Sequence, residues 1–275
     1  MKLVLFDAGD GRARPGALRD DRVVDLDDVA PAGAAPQRRM EAIIDGFDTL
    51  RPEFQRRVEG EAGVAVESVR LRAPLPRPSK ILCCIANYWE HAQREARPLN
   101  MFMKNPDAVI GPGDTIVLPE FTEPWMFMHE AELAIVIKKR CRHVAPERAR
   151  EHVLGYTCLN DVTARDLQAR DGQWTRAKGF DSFCPIGPCI VTDIDPNGVD
   201  IETYLNGECK QSSNTSYCIF PIEDVIARIS AVMTLLPGDV IATGTPGGVG
   251  PMQPGDKVEV RIEGIGSLKN PVIRI

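Results

Sequence analysis

The stretch MFMHEAELAIVI, Met126 to Ile137, decides how this chain is read. From Leu133 to Ile137 it is apolar and rich in β-branched residues, as in a strand covered on both faces. Two carboxylates, Glu130 and Glu132, nevertheless stand at its head. Side chains alternate across a strand, so Glu130, Glu132, Ala134 and Val136 share one face and Ala131, Leu133, Ile135 and Ile137 the other. Residues two apart on one face lie roughly 7 Å apart, near enough for both carboxylates to converge on one small object. Like charges in partial burial raise each other's pKa, and a buried carboxylate without a partner is costly. An exposed edge strand, its acids facing water or pairing with Lys and Arg, would escape that cost. The tail argues for a central strand instead, and then a hard divalent cation is the compensation that fits. Mg²⁺, Mn²⁺ and Ca²⁺ all prefer oxygen ligands, and Mg²⁺ leaves several of its positions to water or substrate.

His129 does not turn the segment into a zinc site. The H-E-x-x-H arrangement needs a second histidine where Leu133 stands, and on strand parity His129 faces away from the two acids. It is expected to be a satisfied or surface histidine. The chain's four histidines, His91, His129, His143 and His152, show no paired spacing, which argues against an iron site of two histidines and a carboxylate.

A chain of 275 residues holds one large domain, or a small module with a catalytic-sized one. With 43% hydrophobic and 26% charged residues, disorder is excluded, and 23 Gly with 22 Pro favour a strand-rich fold. A net charge of -6, a pI near 5.4 and the lack of a basic stripe argue against a nucleic-acid partner. The opening MKLVLFDAGDGR reaches an acid at Asp7 before any long apolar run, so it resembles neither a secretory signal nor a membrane span. A soluble, cytoplasmic protein is expected. The eight cysteines contain no C-x-x-C pair and lie mostly in apolar runs, the pattern of reduced, buried thiols.

Outward from the central stretch, MKLVLFD, GALRD and DRVVDL read as a small antiparallel meander. Met40, Ile43, Ile44, Phe47, Leu50, Phe54 and Val58 then recur at helical spacing, with Pro52 a point of kinking or splitting. The proline cluster APLPRPSK at 73–80 reads as a stiff connector, placing a small N-terminal α/β module at 1–75 and a larger domain at 76–275. Most later segments look extended, among them KILCCIA, TIVLP, GYTCLNDV, PCIVTDI, IETYLNGE and KVEVRI. Helices are expected at APERAREHV, at TARDLQAR behind a Thr163 cap, and from Ile222 to Leu236. Pro-Gly-Asp recurs at 112–114, 237–239 and 254–256, each a type II turn before a strand. The fold class is thus α+β and strand-rich.

A third acid, Asp161, ends an apolar strand in GYTCLNDVTARDLQARDGQW. From chemistry alone it is either a helix-capping acid or part of the site. The segments IANYWEHAQREA (85–96), FMKNPDAVIGPGD (102–114), EAELAIVI (130–137), GYTCLNDVTARD (155–166), AKGFDSFCPIGP (177–188), LNGECKQSSNT (205–215) and ATGTPGGVG (242–250) follow one another in the chain. Together they resemble the fumarylacetoacetate hydrolase superfamily over most of Lys80 to Ile275. The resemblance implies a mixed β-roll behind a small N-terminal domain, a homodimer, and one Mg²⁺ or Mn²⁺ held by Glu130, Glu132 and Asp161. It implies Lys178 and Thr245 at the substrate, with Lys104 and Arg165 as further cations for an anionic 2-oxo acid. It also implies His91 as the base that activates water. In the family a glutamate follows that histidine by three positions; here Arg94 stands there and Glu95 comes one later. Both spacings lie on one helix face, so Glu95 is expected to orient His91 and Arg94 to bind a substrate carboxylate. The expected reaction is hydrolysis of a carbon–carbon bond in an acylpyruvate or related 2,4-dioxo acid. Decarboxylation of an oxaloacetate-like acid and isomerisation of an unsaturated 2-oxo diacid are the alternatives, ahead of a non-catalytic metabolite-binding relative.

Overall fold

The computed structural model describes residues 1–33, 35–92, 98–120 and 126–275. Ala131–Ile137 is a central strand of the largest sheet, flanked antiparallel by Val153–Asn160 and by Val240–Ala242. All seven of its residues are buried, as a strand without an aqueous face requires. Beyond Val240–Ala242 the sheet continues through Ile81–Ile85 to Asn100–Lys104. Beyond Val153–Asn160 it runs through Cys184–Val191 to Lys2–Asp7 and the meander Ala13–Arg19 and Arg22–Asp25.

The two faces of the central strand serve two cores. Leu133, Ile135 and Ile137 pack with Ile201, Val260 and Leu268 of a five-stranded sheet and with Val225, Ile226 and Ile229 of the helix Ile222–Val232. Ala134 and Val136 pack with Ile81, Ile186 and the helical residues Met40, Ile43 and Phe54. The parity read from the sequence therefore holds, and the Glu130/Glu132 face belongs to the second side.

Local differences from the sequence reading have physical causes. The periodic segment 36–60 is two helices, Pro36–Asp45 and Phe47–Gly60, divided at Gly46. Gly46 adopts φ −91° and ψ 6° there, and Pro52 lies inside the second helix at the cost of one backbone bond. Pro146–His152 is a 3₁₀ helix, and the helix from Ile222 ends at Val232 because Met233 is extended. Thr163 does not cap the helix Arg165–Asp171. It pairs in a short strand with Met128, and its hydroxyl donates to the Asp161 carbonyl at 2.8 Å. IETYLNGE is extended as expected through Leu205, in the strand Asp200–Leu205, and then turns at Asn206 and Gly207, both at positive φ as a type I′ turn demands. The glycines of the three Pro-Gly-Asp turns all have positive φ, as type II geometry requires. All eight cysteines are free thiols, six of them buried.

Candidate metal and 2-oxo acid site

Strand register assembles the acids. Ala131 pairs with Asn160, so Glu130 and Asp161 are neighbours just past the ends of two adjacent antiparallel strands. The Asp161 N–H donates to the Glu130 carbonyl at 2.9 Å, and the Glu130 N–H donates to the Asn160 side chain at 2.9 Å. Glu132, two positions on, turns to the same face. One carboxylate oxygen from each of Glu130, Glu132 and Asp161 lies within 4.8 Å of the others, and all three residues are buried.

Three cations answer this charge unevenly. Lys178 donates to Glu130 at 2.9 Å and also to Asp161, while Lys104 donates to Asp161 at 2.6 Å and to the Val162 carbonyl at 3.2 Å. Arg165 donates to Glu130 at 3.0 Å and to Gln168 at 2.6 Å. Burial pushes the Asp161 carboxyl up, but Lys104 and Lys178 outweigh it and hold it below its ordinary range. Burial likewise pulls the Lys178 ammonium down, and Asp161 and Glu130 more than offset that, so it stays protonated. Glu132 has a hydrogen bond from the Gly244 N–H at 2.6 Å and no salt bridge among the described residues. Burial, then Asp161, then Glu130, drive its carboxyl well above the ordinary range. Gly244 is required for that contact: its φ of +101° disfavours a side chain, and a Cβ would stand 3.0 Å from that of Asn87.

A cavity of about 240 Å³ opens over the triad, lined by Glu130, Glu132, Asp161, Lys178, Arg165 and Thr245 together with His91. His91 sits on the short helix Trp89–Ala92, exposed at its cavity end. Lys104 is not among the lining residues; fully buried, it stands behind Asp161. Arg94 and Glu95 lie outside the described residues. The sequence reading missed Phe102, Trp174 and Gln168, which also line the cavity. Phe102 and Trp174 meet edge to face at 5.2 Å, and the Lys178 ammonium lies 4.9 Å from the Phe102 ring. Phe102 shares strand parity with Lys104, and Gln168 lies one helical turn beyond Arg165, so both carried a signal. Trp174 carried none.

His129 is fully buried and faces away from the triad, with Nδ1 3.2 Å from Gln211 Oε1 and Nε2 without a hydrogen-bond partner among the described residues. Burial lowers its pKa. It is a core histidine satisfied at one nitrogen.

The donor set suits a hard divalent cation. The ligand atoms are all carboxylate oxygens, and Glu132 is a buried acid with no salt bridge among the described residues. The surrounding cations balance the three acids, so an added divalent cation would leave the cavity positive and receptive to an anion.

Residues 80–273 match the family model described as fumarylacetoacetate (FAA) hydrolase C-terminal. An oxaloacetate tautomerase, mitochondrial, of Xenopus laevis is 36% identical over 294 residues, covering 99% of this chain and 90% of that protein. The crystal structure of maleylpyruvate hydrolase from Sphingobium sp. SYK-6, in complex with manganese(II) and pyruvate, superposes with a TM-score of 0.88 at 36% identity, covering 100% of this chain and 99% of that one. A 5-carboxymethyl-2-hydroxymuconate delta-isomerase from Mycobacterium smegmatis superposes with a TM-score of 0.83 at 40% identity, with coverage of 100% and 99%.

Proposed function

Because this chain belongs to the fumarylacetoacetate (FAA) hydrolase family, we propose that it is a divalent-metal-dependent enzyme that hydrolyses a carbon–carbon bond in an acylpyruvate or related 2,4-dioxo acid. The observation that carries the reading is Glu132, a buried carboxylate without a salt bridge among the described residues, beside two others that hold the neighbouring cations. Mg²⁺ or Mn²⁺ held by Glu130, Glu132 and Asp161 supplies Lewis-acid stabilisation of the negative charge that develops on a 2-oxo acid. The remaining work falls to the protein. Arg165 and Thr245 offer donors to the substrate carboxylate, and Lys178 brings a fixed positive charge to the developing oxyanion. His91, oriented by Glu95, takes a proton from water as the water adds to the distal carbonyl. The carbon–carbon bond then breaks, its electron pair passes to the 2-oxo acid fragment as an enolate, and a proton returns to that carbon. The products are a carboxylic acid and a pyruvate-type acid. Arg94 binds a second carboxylate in this scheme. The Phe102–Trp174 wall keeps bulk water from one side of the reacting atoms.

A second reading uses the same enolising step without water. The tautomerase from Xenopus laevis matches along nearly the whole chain, which favours tautomerisation or decarboxylation of an oxaloacetate-like acid. The isomerase from Mycobacterium smegmatis supports rearrangement of an unsaturated 2-oxo diacid in the same way. We place the protein in the cytoplasm as a homodimer, and the dimer is checked by light scattering on the eluting protein.

A panel of acylpyruvates, oxaloacetate and unsaturated 2-oxo diacids, assayed with Mg²⁺, with Mn²⁺ and after chelation, tests the proposal. Release of pyruvate that requires the metal is expected. Activity that survives chelation overturns the mechanism, and turnover of oxaloacetate alone selects the second reading. His91→Ala should lower hydrolysis about 10²- to 10⁴-fold while sparing enolisation.

A further inference from the structure

Gln211 is 1% exposed, lies on the strand Glu208–Asn214, and does not line the cavity. Its Oε1 accepts from the Ala131 N–H at 3.1 Å and from the Thr203 hydroxyl at 2.7 Å. Its Nε2 donates to the Thr245 hydroxyl oxygen at 2.9 Å and to the Pro246 carbonyl at 3.0 Å, with the Gly247 carbonyl at 3.5 Å. The amide cannot be turned over. A backbone N–H only donates and backbone carbonyls only accept, so the groups on either side dictate which end is oxygen. Thr245 Oγ1 therefore accepts a hydrogen bond from Gln211, and its own hydroxyl hydrogen is free to point elsewhere. Thr245 lines the cavity, beside Arg165 and Lys178.

We propose that Gln211 is a positioning residue that fixes the Thr245 hydroxyl as a hydrogen-bond donor into the cavity, and so favours an acceptor oxygen, such as that of a carboxylate, over an N–H donor at that place. The inference rests on the reading of the cavity as a 2-oxo acid site. Left to itself a threonine hydroxyl either donates or accepts, and would take a ligand N–H as readily as a ligand oxygen. Gln211 removes the choice before the ligand arrives. It also bonds the backbone of Ala131, between Glu130 and Glu132, so one side chain ties the ligand-facing loop to the strand that carries the acids. A sequence reading has no access to this, because Gln211 and Thr245 are 34 positions apart.

Pyruvate affinity of the Mn²⁺-loaded full chain, measured by titration calorimetry, tests the proposal. Gln211→Glu keeps the shape and removes both amide hydrogens, so Thr245 must donate toward position 211 and present an acceptor to the cavity. Pyruvate affinity should fall about 10- to 100-fold, the worth of a hydrogen bond to a charged group, with Mn²⁺ affinity unchanged. The same substitution should cost little in a Thr245→Val background and its full amount in a Thr245→Ser background, which keeps the hydroxyl. An equal loss in the Thr245→Val background, as a nonspecific charge effect would produce, overturns the proposal, as does unchanged affinity in folded Gln211→Glu. Should that variant not fold, Gln211→Met, which leaves the Thr245 hydroxyl free in either sense, should lower pyruvate affinity by less and again only where residue 245 keeps its hydroxyl; a loss independent of that hydroxyl overturns the proposal. Failure of the wild-type protein to bind pyruvate at all overturns the 2-oxo acid reading itself, a result distinct from the other two.

Discussion

Glu132 is the most informative residue of the chain: 2% exposed, without a salt bridge among the described residues, and raised in pKa by its burial and then by its two acidic neighbours. Replacing it with Gln keeps an acceptor for the Gly244 N–H and removes the repulsion. The metal-free Glu132→Gln protein should therefore melt no lower than wild type, and higher by about 2–4 °C for each kcal/mol of repulsion relieved. Mn²⁺ at a hundred times its dissociation constant should stabilise wild type by about 2.7 kcal/mol, and the variant should lose that shift. A variant that melts lower and still responds to Mn²⁺ would make Glu132 a buttress for the Gly244 loop. At this scale the sequence was legible: two acids two positions apart at the head of an apolar strand have few physical explanations. Trp174 was not legible, because nothing in its neighbours announces which way a loop turns.

Among elements, the short helix Trp89–Ala92 depends on contacts made far away in the chain. Glu90, next to His91, accepts from the Ser213 hydroxyl at 2.6 Å and from the Gly247 N–H. It thereby ties the helix to the loop that carries Thr245. Glu90→Ala should lower turnover and leave Mn²⁺-dependent stabilisation intact; wild-type turnover in that variant would show that His91 is held by other contacts. The strand Val153–Asn160 offers a sharper steric test. A Cβ on Gly155 would lie 2.2 Å from the Val191 carbonyl oxygen, a clash with backbone that no side chain can relieve. Gly155→Ala should destabilise by about 1–3 kcal/mol, read from denaturant midpoints, and an unchanged midpoint would show that the strands shift freely there. Long periodic elements were readable because one face of each is buried in the core. Their ends were not: Gly46 rather than Pro52 divides the first helical pair, and Thr163 gave up a cap for strand pairing and a bond to the Asp161 carbonyl.

For the molecule as a whole, the N-terminal segment and the rest share a sheet and a core. Lys2 and Leu3 pair with Val191 and Ile190, and Leu3, Leu5, Met40 and Phe54 pack in one cluster with Ile81, Val136 and Ile186. We propose the division near residue 75 as one of chain organisation, with cover of the common core supplied from both sides. A fragment of residues 76–275 would expose that face and the edge of Cys184–Val191, and should express as aggregate. A soluble fragment with the full chain's melting midpoint would make the two parts independent folding units.

The sequence by itself determined the strand-rich class, the central strand, the parity that joins Glu130 to Glu132, and the family motifs, because period, covalent spacing and residue chemistry are local properties. The tertiary structure alone decided which distant groups meet. The packing of strands and helices buried Lys104 behind the acids, turned Phe102 toward Trp174, and set Gln211 against Thr245. Those contacts depend on packing free energies summed over the whole chain, and no window of neighbouring residues contains that sum.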